Sequence, residues 1–134
     1  VGPDRESAQW VRSIAGRCER PWGVAEKTRL GDREVRIRLP DLAVDGGRCV
    51  LIDDVASTAR TLAGATEQLL QAGAAAVDVL VTHALFVGDA EETLRRSGVD
   101  RVVSTDSIAH TSNALALAPL LAEPIRDELR RVQP

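Results

Sequence analysis

Two adjacent carboxylates followed by a hydroxyl-rich segment are the part of this sequence whose residue types and spacing could do chemistry. Asp53 and Asp54 come directly after four apolar residues, and the segment from Ser57 to Thr61 follows them. Carboxylates accept hydrogen bonds from ligand hydroxyls or hold a divalent cation. The first turn of a helix binds phosphate, because its N–H groups are unpaired and carry a partial positive charge. A sugar phosphate contains both chemical groups, and the stretch therefore predicts a site for that class of ligand.

The same residues also have an interpretation that involves no ligand. Ser57 or Thr58 is then only the N-cap of a helix, and the two aspartates belong to a solvated loop. A double aspartate at the end of a buried strand favours the binding site, but the residues alone leave both interpretations open.

The elements that must position these side chains are a strand before them and a helix after them. Cys49 to Ile52 is short enough for a buried strand, and helical spacing follows the hydroxyl-rich segment. Leu62, Ala65, Thr66 and Leu69 lie on one side of this predicted helix. The stretch is therefore predicted to run strand, acidic end, polar loop and helix start.

Strand and helix patterns alternate along the rest of the chain. Further helices are predicted over 6–20, 89–96 and 119–132, and further strands over 1–3, 22–26, 77–81, 101–104 and 114–118. This alternation predicts an α/β fold, a three-layer sandwich in which helices flank a mainly parallel central sheet. Trp10 and Trp22 are predicted to be core anchors. Pro124 lies beyond the first turn of the last helix, so a kink or split is expected near Ala122.

A short hairpin is predicted beside this sheet. Glu34 to Leu39 alternates between charged and apolar side chains, which indicates a strand with one wet face. A turn that starts at Gly31 would join it to a strand begun at Trp22, and Lys27 and Arg29 lie between the two.

Ligands of parallel α/β folds bind at the edge where the carboxyl ends of the strands meet. Five separate pieces of sequence bring polar side chains to this predicted edge, and they are Asp4, Lys27, Asp53 with Asp54, His83, and Asp106. Loops are polar because they lie on the surface, and this explains any one of these positions without a ligand. It does not by itself explain a double aspartate beside a predicted phosphate-binding segment. His110 is predicted to be an ordinary loop residue.

Size and composition are those of one globular domain over residues 1–134. Apolar residues make up 44% of the chain and charged residues 28%, and the net charge of -3 argues against nucleic acid or an anionic membrane as the main partner. Packing explains Cys18 and Cys49, and a reducing cytoplasm fits them. No apolar run is long enough to span a membrane. The opening segment, which lacks an initiating Met, suggests a piece of a longer chain.

Six motifs carry a resemblance to a known family, in matching order and at matching spacing. They are Gly2-Pro3-Asp4, Glu26-Lys27-Thr28-Arg29, Val50 to Thr61, Thr82-His83-Ala84-Leu85-Phe86, Thr105-Asp106-Ser107-Ile108 and Ala118 to Ile125. The whole chain resembles the C-terminal half of ribose-phosphate pyrophosphokinase, also called phosphoribosyl diphosphate synthetase. The third motif alone would indicate only the type I phosphoribosyltransferase fold, which the family shares, and the motifs around it select the synthetase.

This resemblance implies transfer of the diphosphate of ATP to ribose 5-phosphate with Mg²⁺, a step in nucleotide biosynthesis. The residues that would hold the 5-phosphate are Ser57, Thr58, Ala59, Arg60 and Thr61. Asp53 and Asp54 would meet the ribose hydroxyls and the cation, and Asp4 would be a Mg²⁺ ligand. Lys27 and Arg29 would be a basic pair on a mobile flap that neutralises the transferring phosphates. A homo-oligomer is also implied, with an ATP site completed by an N-terminal half, so the domain alone would be inactive.

Two segments depart from the family's pattern. The family commonly has an acidic residue and a Gly pair in the phosphate loop, where this chain has Ser57 and Ala59-Arg60, and Arg60 would need a helical φ to fit there. The family also has a glycine-rich segment beside the metal ligand, and this chain has Arg-Glu-Ser at the corresponding residues 5–7. These departures favour one alternative, a regulatory paralogue without catalysis. A second alternative, a phosphoribosyltransferase that uses phosphoribosyl diphosphate, would require a base-binding hood that this chain lacks.

Overall fold

The computed structural model describes residues 1–29, 35–38 and 42–132, with side chains over 1–26 and 42–131. In chain order the elements are α1 (Ala8–Arg17), β1 (Glu26–Arg29), β2 (Val35–Arg38), β3 (Arg48–Ala56), α2 (Arg60–Gln71), β4 (Ala76–Ala84), α3 (Ala90–Ser97), β5 (Arg101–Thr105), β6 (Asn113–Leu115) and α4 (Ala118–Val132). None of the helices in these ranges is both long and apolar enough to cross a membrane.

Four of the strands form a parallel sheet in the order β3-β4-β5-β6. The first residues of the chain extend it, because the Val1 amino group donates to the Val50 carbonyl at 2.8 Å and the Ile52 amide donates to the Val1 carbonyl at 2.9 Å. Gly2 in turn forms a parallel bridge with Val24. Helices α2 and α3 provide the crossovers that parallel neighbours require. The predicted α/β fold, a parallel sheet with flanking helices, is confirmed.

The main core lies between this sheet and helices α2 and α3. The side of α2 that the sequence predicts to be apolar is buried, and its residues are Leu62, Ala65, Thr66 and Leu69. One face of β4 is shielded from solvent in the same core, through alternate residues Val77, Val79 and Val81. This packing holds the start of α2 against the carboxyl edge of the sheet.

Helix α1 packs near β3, and fewer of its residues are buried than the sequence predicts. Val11 and Ala15 are buried, whereas Trp10 is 42% exposed. Trp22 is 40% exposed. The prediction that both tryptophans are core anchors is wrong. Position 10 is roughly 100° around the helix from position 11, so the side that meets the sheet excludes the Trp10 ring.

Strands β1 and β2 pair antiparallel and form the predicted hairpin. It begins at Glu26 and not at Trp22, because Val24 pairs with the first residues of the chain instead. The turn predicted to start at Gly31 lies outside the described residues. Strand β2 also approaches α2, which places the hairpin beside the helix that follows the acidic strand end.

The last helix, α4, runs from Ala118 to Val132 without interruption, with Pro124 inside it. The split that the sequence offers as one possibility near Ala122 is therefore wrong, and the alternative, a kink, stays a prediction. Pro124 removes one helical N–H and leaves the Leu120 carbonyl unpaired. Because α4 is exposed along its described length, water can satisfy that carbonyl and the helix continues.

Candidate functional site

Strand β3 extends beyond its predicted end and carries both aspartates. It continues to Ala56 because its parallel partner β4 continues as well, and Ala56 pairs with Ala84. Asp53 is half-buried and Asp54 is exposed, as expected for consecutive strand residues, whose side chains point to opposite faces. Both residues line a cleft of about 290 Å³ that also contains the hydroxyl-rich segment. The predicted neighbourhood of acids and hydroxyls is present.

Asp53 is the carboxylate whose ionisation the surroundings oppose. Its pKa is raised to about 6, chiefly by burial and additionally by the negative charges of Asp4, Asp54 and Glu6. The Asp54 amide donates to Asp53 Oδ1 at 3.1 Å and acts in the opposite direction. A cation or a hydrogen-bond donor from a ligand would stabilise the ionised carboxylate. The acidic end of the cleft is therefore suited to a ligand that brings either group.

The segment between β3 and α2 presents unpaired amides to the same cleft. Within the described part of the chain, the N–H groups of residues 57–62 have no hydrogen-bond acceptor. The first paired amide of the helix is that of Ala63, which donates to the Ala59 carbonyl at 2.8 Å. All six residues with unpaired amides line the cleft. Free N–H groups at the positive end of a helix are an arrangement that binds anions.

The N-cap interpretation of Ser57 and Thr58 is wrong. Ala59 is the N-cap of α2, and no side chain caps the helix. Ala59 has a left-handed φ of 58° and is 5% exposed, a conformation that costs an alanine about 1–2 kcal/mol. Arg60 is the first residue of the helix, so its φ is helical and its Cβ fits as the sequence requires. The conformation that favours glycine in this segment therefore falls at position 59.

Asp4 lies beside β3 at the end of the short stretch that extends the sheet. Its Oδ1 accepts hydrogen bonds from the Glu6 amide at 3.1 Å and the Ser7 amide at 3.3 Å. Ser7 Oγ donates to the Asp4 carbonyl at 2.6 Å, and these bonds form the turn that leads into α1. Asp4 Oδ2 has no partner among the side chains and amides that the structure describes, and Asp4 lines the cleft. One carboxylate oxygen therefore remains for a ligand.

The predicted basic pair, Lys27 and Arg29, lies on strand β1 of the hairpin. The side chains of both residues are outside the described part of the chain. Their backbone belongs to the strand that pairs with β2, and β2 approaches α2. The hairpin thus stands near the helix whose first turn lines the cleft.

Two other polar residues predicted for this edge do not line the cleft. His83 Nδ1 lies 2.9 Å from Ser107 Oγ, and Asp106 Oδ1 accepts a hydrogen bond from the Leu117 amide at 2.9 Å. Both contacts involve the segments around β5 and β6. The carboxyl edge of the sheet is therefore divided between the acidic cleft and a separate hydrogen-bonded cluster.

His110 makes more contacts than an ordinary loop residue. Its Nε2 is 2.8 Å from Glu91 Oε1, and its Nδ1 is 2.8 Å from Ser112 Oγ. Its ring lies 4.8 Å from the Phe86 ring, centroid to centroid. No local pattern in the sequence indicates this residue, because two of these partners come from distant parts of the chain.

The cleft offers oxygen ligands for a divalent cation but not a complete cage. No three His, Cys, Asp or Glu side chains within 1–26 and 42–131 are grouped closely enough to hold a metal ion. Mg²⁺ usually keeps several waters and binds through one or two carboxylates together with substrate phosphates. One or two of the carboxylates of Asp4, Asp53 and Asp54, but not all three together, therefore fit a cation that is shared with a bound phosphate.

A parallel α/β sheet with an amide-lined loop and carboxylates at the carboxyl ends of its strands defines the class, an α/β domain with its candidate ligand site at the carboxyl edge of the sheet. Comparison with known proteins identifies the family within that class. The family model described as phosphoribosyl synthetase-associated domain matches residues 36–126, and the chain belongs to this family. The resemblance predicted from the motifs is confirmed at this level.

Two curated relatives and one solved structure agree with this membership. The chain is 32% identical over 127 residues to a ribose-phosphate pyrophosphokinase of Methanopyrus kandleri, a match that covers 95% of this chain and 44% of that protein. It is 34% identical over 131 residues to ribose-phosphate pyrophosphokinase 2 of Saccharomyces cerevisiae, covering 94% and 41%. The crystal structure of phosphoribosylpyrophosphate synthetase from Mycobacterium smegmatis is similar with a TM-score of 0.74 at 28% identity, covering 97% and 44%. The chain therefore spans less than half the length of these relatives.

Proposed function

We propose that the chain is the ribose-5-phosphate-binding domain of a ribose-phosphate pyrophosphokinase, which transfers the diphosphate of ATP to ribose 5-phosphate. The observation that carries the proposal is the cleft in which the unpaired amides of residues 57–62 adjoin Asp53 and Asp54. The family membership and the names of the relatives support the reaction.

The segment 57–61, which we name the phosphate loop, would hold the 5-phosphate. Its amides and the hydroxyls of Ser57, Thr58 and Thr61 supply donors, and the helix dipole adds a favourable field. Arg60 lines the same cleft and brings a positive charge to it. At the other end of the cleft, the paired aspartates would accept hydrogen bonds from the ribose hydroxyls.

The cation in this proposal is Mg²⁺, held by Asp4 with help from the aspartate pair on β3. When bound, Mg²⁺ would neutralise charge on the transferring phosphates. Asp4 Oδ2 and the carboxylates of Asp53 and Asp54 are the groups of this chain that would orient the ion beside the ribose.

Lys27 and Arg29 are proposed to approach the transferring phosphates from the hairpin. Phosphoryl transfer is catalysed chiefly by positioning and by neutralising charge, so two cations on a movable hairpin would supply what the cleft lacks. The approach of β2 to α2 supports this placement.

We further propose that residues 1–134 form one domain, the C-terminal half of a longer chain that completes the ATP site. The share of the relatives that is spanned supports a longer chain, and the C-terminal position rests on the resemblance of the motifs alone. The enzyme is proposed to be a cytoplasmic homo-oligomer, and the free thiols of Cys18 and Cys49 fit a reducing compartment. A sequence upstream of Val1 without a matching N-terminal half would contradict the arrangement.

Binding of ribose 5-phosphate tests the site directly. The chain is expected to bind this ligand weakly, and the double variant Asp53→Asn with Asp54→Asn is expected to abolish the binding, because an amide cannot replace the two charges. Isothermal titration calorimetry measures the loss. The matched control is Asp127→Asn with Glu128→Gln, which removes two adjacent acids from the exposed helix α4. An unchanged titration curve in the aspartate double variant would reject the assignment.

Turnover by the intact protein tests the reaction. The full-length enzyme is expected to convert ATP to AMP only when ribose 5-phosphate is present, and Lys27→Ala should remove this activity while circular dichroism shows unchanged folding. Activity at the unmodified rate would refute the role of Lys27.

One observation favours the regulatory paralogue as a second candidate. The Glu6 and Ser7 amides both donate hydrogen bonds to Asp4 Oδ1, so they are not free to bind a diphosphate. An intact protein that binds ribose 5-phosphate but forms no AMP, and that changes the activity of a catalytic subunit mixed with it, would identify this candidate.

A further inference from the structure

The connection between β4 and α3 is hydrogen-bonded to the start of the phosphate loop. The Phe86 amide donates to the Ala56 carbonyl at 2.9 Å, and the Val87 amide donates to the Ser57 carbonyl at 3.0 Å. These two carbonyls belong to the last residue of β3 and the first residue of the phosphate loop. The path of the loop as it leaves the sheet therefore depends on the position of Phe86 and Val87.

Holding these carbonyls also aims two of the loop's amides. A trans peptide is planar, and its N–H points away from its C=O. The described residues contain no cis peptide. When the carbonyls of Ala56 and Ser57 point to the β4–α3 connection, the amides of Ser57 and Thr58 point the other way. Both of these residues line the acidic cleft, and both amides are among those without an acceptor.

Phe86 occupies a backbone conformation that needs support from its surroundings. Its φ is +31°, in the region that residues with side chains rarely adopt. Its half-buried ring packs on the main core and lies 4.8 Å from the His110 ring. His110 is itself held by Glu91 on α3 and by Ser112, and its side chain is only 18% exposed.

The two rings stand at the wall of a separate cavity of about 610 Å³ between α3 and the β5–β6 connection. This cavity does not include the phosphate loop, so neither ring is in a position to touch a ligand in the acidic cleft. The pair of backbone hydrogen bonds from Phe86 and Val87 connects the segment that carries the Phe86 ring to the phosphate loop.

We propose that Phe86 and His110 are positioning residues for phosphate binding. The packing of the two rings keeps Phe86 in its strained conformation, and this conformation aims the Ser57 and Thr58 amides at the phosphate through the Ala56 and Ser57 carbonyls. The inference deepens the proposed function and rests on it, because the phosphate is the 5-phosphate of the ligand proposed above.

Phosphate binding by ring variants tests the inference. Phe86→Leu keeps an apolar side chain but removes the ring contact, and His110→Ala removes it from the other side. Each variant is expected to weaken binding of ribose 5-phosphate and of inorganic phosphate roughly tenfold, the effect of misdirecting one hydrogen bond to a charged group. Phe86→Tyr keeps the ring and should restore binding.

The control is Leu85→Ala, which changes a neighbouring side chain that is 50% exposed and whose amide donates to the His83 carbonyl instead of the phosphate loop. NMR supplies a readout that a general loss of stability would not move. On addition of phosphate, the Ser57 and Thr58 amide signals should shift in the unmodified chain, Leu85→Ala and Phe86→Tyr, and shift much less in Phe86→Leu and His110→Ala.

The outcomes separate this inference from the proposed function. Binding that is equal in the unmodified chain and in both ring variants overturns the inference and leaves the proposed function standing. Absence of binding by the unmodified chain overturns both. If Phe86→Leu does not fold, His110→Ala with unchanged affinity and unchanged Ser57 and Thr58 shifts is sufficient to overturn the inference.

Discussion

At the scale of a single residue, the surroundings of Asp53 favour binding of a ligand but destabilise the ligand-free protein. Its carboxylate is half-buried among other acids, and its pKa is raised from 3.8 to about 6. A hydrophobic or neutral side chain there would be less costly in the absence of ligand. The raised pKa therefore means that a cation or a donor hydroxyl gains more by binding here than it would at a solvated carboxylate.

Asp53→Asn is predicted to stabilise the chain in a pH-dependent way. The unfolded aspartate ionises near pH 4 and the folded one near pH 6, so this group favours the folded state below about pH 4 and loses that contribution as the pH rises to about 6. The variant should raise the free energy of unfolding at about pH 8 by about 1 kcal/mol, a value reduced for partial exposure, and have no such effect at about pH 4.

Urea denaturation without divalent cations measures this difference between the two pH values. Asp127→Asn on exposed helix α4 is the control and should show no comparable pH dependence. A gain for Asp53→Asn that is equal at both pH values would contradict the raised pKa.

At the scale of elements, the junction between β3 and α2 is the part of the fold that determines the site. The strand ends at Ala56, the helix begins at Arg60, and the short connection must reverse direction without a glycine. Ala59 makes this reversal in the left-handed conformation. The junction is kept in place by burial of α2 on the sheet and by the two hydrogen bonds from the β4–α3 connection.

Ala59→Gly is predicted to change the free energy of unfolding little, whereas Ala63→Gly is predicted to lower it. Glycine removes the strain of a positive φ at position 59, which offsets its greater freedom in the unfolded chain, so the free energy of unfolding should change by less than about 0.5 kcal/mol. Ala63 is inside α2 and buried, and its replacement should cost about 1 kcal/mol. Urea denaturation of both variants checks this, and equal destabilisation would show that position 59 is not strained.

At the scale of the whole molecule, helix α4 contributes little to the packed core that the described residues form. The core lies between the sheet, α2 and α3, and none of its buried members comes from α4. Four large apolar side chains of α4 are each more than half exposed, and they are Leu120, Leu121, Ile125 and Leu129. The described residues therefore leave the apolar side of α4 without a packing partner.

Leu129→Ala and Leu69→Ala are predicted to differ strongly in their effect on stability. Leu129 is 60% exposed, so its truncation should lower the free energy of unfolding by less than about 0.5 kcal/mol. Leu69 is fully buried in the core and should cost about 2–5 kcal/mol, because its removal leaves a cavity. Thermal or urea denaturation of the 134-residue chain measures both. A large loss for Leu129→Ala would mean that α4 packs on this domain after all.

Short-range patterns in the sequence were sufficient for the fold class and for the centre of the site. The period of apolar residues predicts which side of α2 is buried, and the order of strand, acids, hydroxyls and helix places Asp53 near the phosphate loop. These features depend on residues close in sequence, whose relative positions are set by the geometry of a strand and a helix.

The tertiary structure alone decided which distant residues meet. It separated His83 and Asp106 from the cleft, brought the His110 ring to Phe86 and left Trp10 42% exposed. It also assigned the left-handed conformation to Ala59 and not to Arg60. Periodicity determines the face on which a side chain lies, but contacts between separate elements depend on how the crossovers pack and where each connection leaves the sheet, and no local pattern contains that information.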